Sequence, residues 1–172
     1  MNQKVYVNLI ADVLHAGHIR ILKEANKYGK VVVGLLTDKA CGELNDVPYL
    51  DYDKRKMVVE NLKFVDEIIP QESASYKENL LKLKPDYVIH GDDWQYNYKR
   101  KYREEVIELL NEWGGKLIEI PYSKDIIEAR IDEEKKRVGI TTGLRLARLR
   151  KLIEVKPVVK IMEVHNALSA LI

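Results

Sequence analysis

The chain has 172 residues, 46% hydrophobic and 33% charged, which suits one soluble globular domain and excludes disorder, collagen and a disulfide scaffold. Lys and Arg number 29 against 27 Asp and Glu, so the net charge is +2 and no bulk positive field exists to recruit nucleic acid. The lone Cys41 fits a reducing compartment, no apolar run approaches the roughly 20 residues of a membrane span, and Met1-Asn2-Gln3-Lys4 passes straight into strand-like sequence without a signal peptide; a cytoplasmic location is expected.

Lys4–Ala11 is a short apolar run and reads as a buried strand. His18–Tyr28 carries Ile19, Leu22, Ala25 and Asn26 at helical spacing, and Gly29 stops it. Lys30–Thr37 is a second strand, followed by a loop with Gly42, Asn45, Asp46 and Pro48. Asp51–Phe64 is a helix, with Met57, Val58, Asn61, Leu62 and Val65 in register, and Val65–Pro70 a third strand. Tyr76–Lys84 is a helix ending before Pro85, because the residue before proline is pushed out of the helical region. Asp86–Gly91 is a fourth strand, Tyr98–Trp113 a long helix closed by Gly114-Gly115, and Lys116–Pro121 a fifth strand.

Strands alternating with helices build a Rossmann-like α/β fold, a five-stranded parallel sheet covered on both faces. Ligands of such sheets lie at the carboxyl ends of the strands, near the switch in strand order. The ligand loops are therefore expected at residues 11–18, 37–50, 70–76, 90–98 and 121–130. Residues 1–135 make the folded domain by this reading.

Residues 136–172 differ in character. Eight basic residues and one acidic residue, Glu154, lie between Lys135 and Lys156. Leu146, Leu149, Leu152 and Ile153 form one apolar stripe, with Arg145, Arg148 and Lys151 on a neighbouring face. A strand-like run, Val158–His165, and an apolar ending follow. The segment reads as a basic linker helix leading into a further element that either docks on the core or a partner or is the opening of a longer, truncated domain.

The chemistry concentrates at Ala11-Asp12-Val13-Leu14-His15-Ala16-Gly17-His18, between the first strand and the first helix. A helix N-terminus offers free backbone N–H groups and a partial positive charge, and so holds phosphate. Gly17 lets the backbone approach closely. Each imidazole can donate to a phosphate oxygen, and donation to charge that grows in a transition state lowers the barrier.

His15-Ala16-Gly17-His18 resembles the HxGH motif of the cytidylyltransferase-like nucleotidyltransferases, which include the glycerol-3-phosphate, choline-phosphate and ethanolamine-phosphate cytidylyltransferases. The resemblance spans about residues 4–125. It extends to Val33-Gly34-Leu35-Leu36-Thr37-Asp38, Tyr52-Asp53-Lys54-Arg55, Phe64–Pro70 and His90-Gly91-Asp92-Asp93-Trp94. It implies that His15 and His18 bind the triphosphate and stabilise the transferring phosphoryl group, and that Asp12 organises the loop or approaches acceptor or metal. Ala11, Gly17, Gly91, Asp92, Asp93, Trp94 and Ile126 would form the nucleotide site, with Asp93 reaching Mg²⁺ or ribose. Thr37, Asp38, Tyr49 and Arg55 would meet the acceptor. His90 reads instead as a strand-end histidine satisfied within the fold.

Two departures stand out. The family's Gly-Ile-Ser-(Ser/Thr)-Thr run after strand five survives only at Ile126, beside Asp125, Ile127, Glu128 and Ala129. No lysine lies between Lys39 and Lys54, where the family commonly has one before Pro-Tyr; Asn45-Asp46-Val47 precede Pro48-Tyr49. Lys124, Arg130 and the segment Lys99–Arg103 are candidate substitutes. That last segment also mixes basic and aromatic residues, as nucleic-acid surfaces do, but reads better as a solvated helix start.

Residues 145–172 resemble the opening of phosphoenolpyruvate phosphomutase, an α/β-barrel enzyme of phosphonate biosynthesis. Together the resemblances imply CMP transfer from CTP to a small phosphonate or phosphate acceptor, with release of pyrophosphate. Mg²⁺ would arrive with the nucleotide. A homodimer, and a fused or partner phosphomutase, are implied partners; nucleic acid and membrane are not. The other reading is a weakened nucleotidyltransferase module that serves binding or assembly of a phosphomutase.

Overall fold

The computed structural model describes residues 3–44, 46–95, 99–121 and 142–156, with side chains from residue 149 onward in the last span. Five parallel strands form one sheet in the order β3-β2-β1-β4-β5. They are β1 (Lys4–Leu9), β2 (Lys30–Leu36), β3 (Glu67–Gln71), β4 (Tyr87–Gly91) and β5 (Lys116–Ile120). Strand order reverses between β1 and β4, which makes their carboxyl ends the switch point.

Side-chain alternation along β1 feeds two cores. Val5, Val7 and Leu9 pack with Leu22 and Ala25 of α1 (Ala16–Ala25) and with Val59 of α3 (Tyr52–Val59). Tyr6 joins Leu80 of α4 (Lys77–Leu83) and Val106, Leu109 and Leu110 of α5 (Arg100–Trp113) on the other face. Gly34 in β2 is required by this second core, because any Cβ there would collide with the Tyr6 hydroxyl.

Several boundaries move for local reasons. Helix α1 begins before His18, at Ala16, because His15 caps it. Helix α3 stops at Val59, short of Phe64; Asn61, Leu62 and Val65 then turn tightly through backbone bonds to Val58, Val59 and Leu62. Helix α4 ends on Lys84 in the left-handed region, and α5 ends on Gly114 in the same region, as a glycine stop predicts.

The stretch expected as a loop after β2 contains a helix, α2 (Asp38–Glu43). Thr37 Oγ1 accepts from Ala40 N at 3.3 Å and caps it, while Ala40, Cys41 and Gly42 are buried. Six residues hold too little periodicity to announce a helix in the sequence.

The basic helix, α6 (Thr142–Val155), packs against α2. A Cβ on Gly42 would lie 2.8 Å from Val155 O, so the two helices meet at a glycine. Lys151 Nζ reaches Asp38 Oδ2 at 3.5 Å. This contact turns Lys151, Leu152 and Val155 toward the domain, and two residues of the expected apolar stripe, Leu149 and Ile153, face outward. The strand-like run 158–165 lies outside the described residues.

Candidate active site

The chain leaves β1 through Ala11, whose φ of 55° is left-handed although it carries a Cβ. Such conformations cost energy and persist where the surroundings hold them. Here Ala11 is buried, and Asp12 beside it accepts from Leu50 N at 2.9 Å. The bend delivers His15 to the N-terminus of α1. Its Nδ1 accepts from Gly17 N at 3.2 Å, which makes His15 the helix cap. An accepting Nδ1 carries no proton, so neutral His15 bears its N–H on Nε2. The rings of His15 and His18 are 4.0 Å apart and tilted by 54°.

These residues line a cavity of about 440 Å³ at the carboxyl ends of β1 and β4. Its wall includes Ala11, Asp12, His15, Gly17 and His18 on one side, and His90, Gly91, Asp93 and Lys99 on the other. Arg20, which also donates to Pro121 O at 2.5 Å, and Asp46 complete a rim of mixed charge.

The β4 side is held by a chain of side-chain contacts. A short 3-10 turn, Asp92–Trp94, follows the strand. His90 Nδ1 donates to Gly91 O at 2.7 Å, and its ring stacks on Trp94 at 3.9 Å and 13°. Burial pushes the His90 pKa down, so it stays neutral near pH 7. Trp94 is buried, and its indole donates to Glu119 Oε1 at 2.7 Å. Arg103 grips both oxygens of that carboxylate at 2.9 Å, which with the indole bond lowers the Glu119 pKa to about 2. Asp93 lies at the cavity edge, 3.7 Å from both His90 Nδ1 and Lys99 Nζ.

The residues expected to meet an acceptor after β2 are used differently. Arg55 is fully buried, donating to Ile10 O at 2.6 Å, Leu50 O at 3.2 Å and Asp38 Oδ1 at 2.6 Å. Thr37 caps α2, and Tyr49 is partly exposed. None of Thr37, Asp38, Tyr49 and Arg55 lines the large cavity, nor does Asp92. Trp94 stands behind His90, on the wall of a smaller neighbouring cavity. Ile126, Lys124 and Arg130 lie outside the described residues. Of the basic segment, Lys99 reaches the cavity, while Arg100 pairs with Glu104 and Arg103 with Glu119.

Sequence reasoning missed Asn8, which lines both cavities, and gave Asp46 no site role. An amide within the apolar run of the central strand was a usable signal for Asn8. For Asp46 the usable signal was its place in the stretch where the family commonly has a lysine.

The cytidylyltransferase-like family model matches residues 10–142. The chain belongs to this family. It is accordingly a nucleotidyltransferase enzyme, and the histidine pair at the switch point sits inside the matched span. The chain is 34% identical over 120 residues to a glycerol-3-phosphate cytidylyltransferase of Staphylococcus aureus, covering 66% of this chain and 91% of that protein. An FAD synthase of Ferroglobus placidus is 32% identical over 104 residues, covering 60% of this chain and 68% of its own length. The crystal structure of a lipopolysaccharide core biosynthesis protein from Thermoplasma volcanium superposes with a TM-score of 0.59 at 26% identity, covering 72% of this chain and 98% of that one.

Proposed function

We propose that this cytidylyltransferase-like chain transfers CMP from CTP to a small acceptor bearing a phosphonate or phosphate. An acceptor oxygen attacks the α-phosphorus in line, the new P–O bond forms, and the bond to the β-phosphate oxygen breaks. Pyrophosphate leaves with that bonding pair. No protein nucleophile and no net proton transfer is needed.

The observation that carries this reading is the His15–His18 pair, rings 4.0 Å apart, at the N-terminus of α1 in the switch-point cavity. Nε2–H of His15 and the helix N–H groups supply donors for phosphate oxygens, and their fixed geometry favours the transition state. His90 stays neutral and braces Gly91 and Trp94. The glycerol-3-phosphate cytidylyltransferase relatives support CTP as donor. The phosphomutase-like tail supports a phosphonate acceptor.

Among the described residues no group of three or more metal-ligating side chains gathers. The carboxylate of Asp93 at the cavity edge fits an ion that Mg²⁺ chemistry leaves largely to phosphate and water. Bound there with the nucleotide, Mg²⁺ would neutralise charge on the phosphates. Asp93 would hold the ion, and Lys99 beside it would face the same phosphates.

Asp46 lines the cavity in the stretch where the family commonly has a lysine, and this favours a second reading, a weakened module that serves assembly. One experiment separates the two. Pyrophosphate release is measured with CTP or ATP, Mg²⁺ and a panel of small phosphonates and phosphate esters, on this chain and on His18→Ala. CTP-dependent release lost in the variant supports the transferase. Release with ATP alone reassigns the base. No release and no nucleotide binding at millimolar concentration overturns the transferase in favour of the module.

A further inference from the structure

All of α6 but its first residue lies past the span of the cytidylyltransferase-like match, which ends at residue 142. Its docking is light. Among the described residues, none of the apolar core clusters includes a side chain of α6. It meets the domain where Val155 abuts Gly42 and where Lys151 Nζ reaches Asp38 Oδ2 at 3.5 Å. An element held this way can dock and release without unfolding the domain.

Asp38 is not an ordinary surface partner. Its other oxygen, Oδ1, accepts from Arg55 Nη2 at 2.6 Å. Arg55 is fully buried, and its fork also donates from Nη1 to Ile10 O at 2.6 Å and from Nε to Leu50 O at 3.2 Å. Leu50 N in turn donates to Asp12 Oδ1 at 2.9 Å. A ring therefore closes through Arg55, Ile10, Ala11, Asp12 and Leu50. Ala11 sits inside it with its left-handed φ of 55°, a conformation that lasts only while its surroundings hold it. Ala11 and Asp12 both line the large cavity, as does His15 three residues further on.

Asp38 is thus the counter-ion of the cation that closes this ring, and α6 holds it from outside. Arg55 takes one carboxylate oxygen and Lys151 the other, so the carboxylate cannot turn without losing a contact. The Asp38 and Lys151 side chains are 25% and 21% exposed, so water screens this pair less than one in open solvent. With α6 released, Asp38 Oδ2 turns to water, the carboxylate is free to rotate, and the fork of Arg55 loosens on Ile10 and Leu50.

Taking the switch-point cavity as the nucleotide site, as the reading above does, we infer that α6 is a releasable clamp on that site, with Lys151 as a positioning residue that acts through Asp38 and Arg55 on the Ala11–Asp12 bend. Docked α6 favours the bend that binds nucleotide. By linkage, bound nucleotide favours docked α6 to the same degree.

The test compares the full chain with Lys151→Met and Lys151→Arg. Without ligand, amide exchange at Leu50, whose N–H is held by Asp12, should be about 3–10-fold faster in Lys151→Met. Amides in the middle of β1 and β2, and the denaturation midpoint, should stay as they are. CTP with Mg²⁺, titrated by calorimetry, should bind Lys151→Met about 3–10-fold more weakly. Lys151→Arg should restore both readouts. Gly42→Val, which releases α6 at its other contact, should speed exchange at Leu50 in the same way. In the unmodified chain, CTP with Mg²⁺ should slow exchange within residues 142–156.

Unchanged Leu50 exchange in both Lys151→Met and Gly42→Val overturns the clamp. So does a change at Leu50 that β1 and β2 share, which would make α6 a structural prop, and so does bound nucleotide that leaves residues 142–156 unprotected. If the unmodified chain binds no nucleotide, the transferase reading falls and the ligand-free Leu50 rates alone decide whether α6 holds the bend.

Discussion

Past the end of β1, His15 and His18 hold their rings 4.0 Å apart on a cavity wall, whereas past the end of β2, Arg55 and Asp38 bond each other at 2.6 Å and do not line that cavity. Both segments follow strands at the carboxyl edge of one sheet and open helices, and both are rich in groups that could bind phosphate. The difference lies in what each group already has. The α1 loop spends one ring nitrogen of His15 on a cap and sets the ring on the cavity wall. The Arg55 side chain spends its hydrogen bonds on Ile10 O, Leu50 O and Asp38. Arg55 fixes the backbone beside Asp12, so the second region supports the first.

The sharpest way to break this contrast is to remove Arg55. Arg55→Met leaves Asp38 without its buried partner, and stability in a denaturant titration should fall by about 3–5 kcal/mol. An acceptor-binding Arg55 would instead raise KM with stability intact. Next in size is His18→Ala, which should lower kcat by about 10²–10³ with little change in the unfolding midpoint. A stability loss without a kinetic one would move His18 into the scaffold.

A third experiment turns to the β4 side. The Glu119 pKa is held at about 2 in the fold, against an ordinary value of 4.5, first by Arg103. A lowered folded pKa gives stability that is complete above about pH 4.5 and drains away as pH falls toward 2. Arg103→Met should therefore cost about 1–3 kcal/mol near neutral pH, after allowing for partial exposure of the pair, and almost nothing near pH 2. A pH-independent cost would mean that Arg103 acts by packing alone. The smallest effect is expected at the α2–α6 contact. Gly42→Val should clash with Val155 and cost about 1–3 kcal/mol locally, read as faster proteolysis within residues 142–156 while the sheet stays protected in hydrogen exchange.

The alternation of strand and helix was legible because periodicity and glycine or proline stops are written locally. The same is true of the site's place at the carboxyl ends of β1 and β4, and of Asp12, His15, Gly17, His18, Gly91 and Asp93 on its wall. Helix α2 was not legible, since its stability comes from a Thr37 cap and from burial of Ala40 and Cys41 rather than from an amphipathic pattern. The inward face of α6 was misread because one ion pair and one glycine contact, both to residues about a hundred positions earlier, set its rotation.

By itself the sequence determined the five strands and the helices other than α2, the parallel α/β class and the histidine pair at a helix N-terminus, because each depends on residues within one or two turns of chain. Only the tertiary structure decided the strand order, the burial of Arg55, the stacking of His90 on Trp94 and the unsatisfied Asn8 Oδ1 between two cavities. Those depend on which distant groups meet, and whether a polar atom is spent or available is known only when its neighbours are.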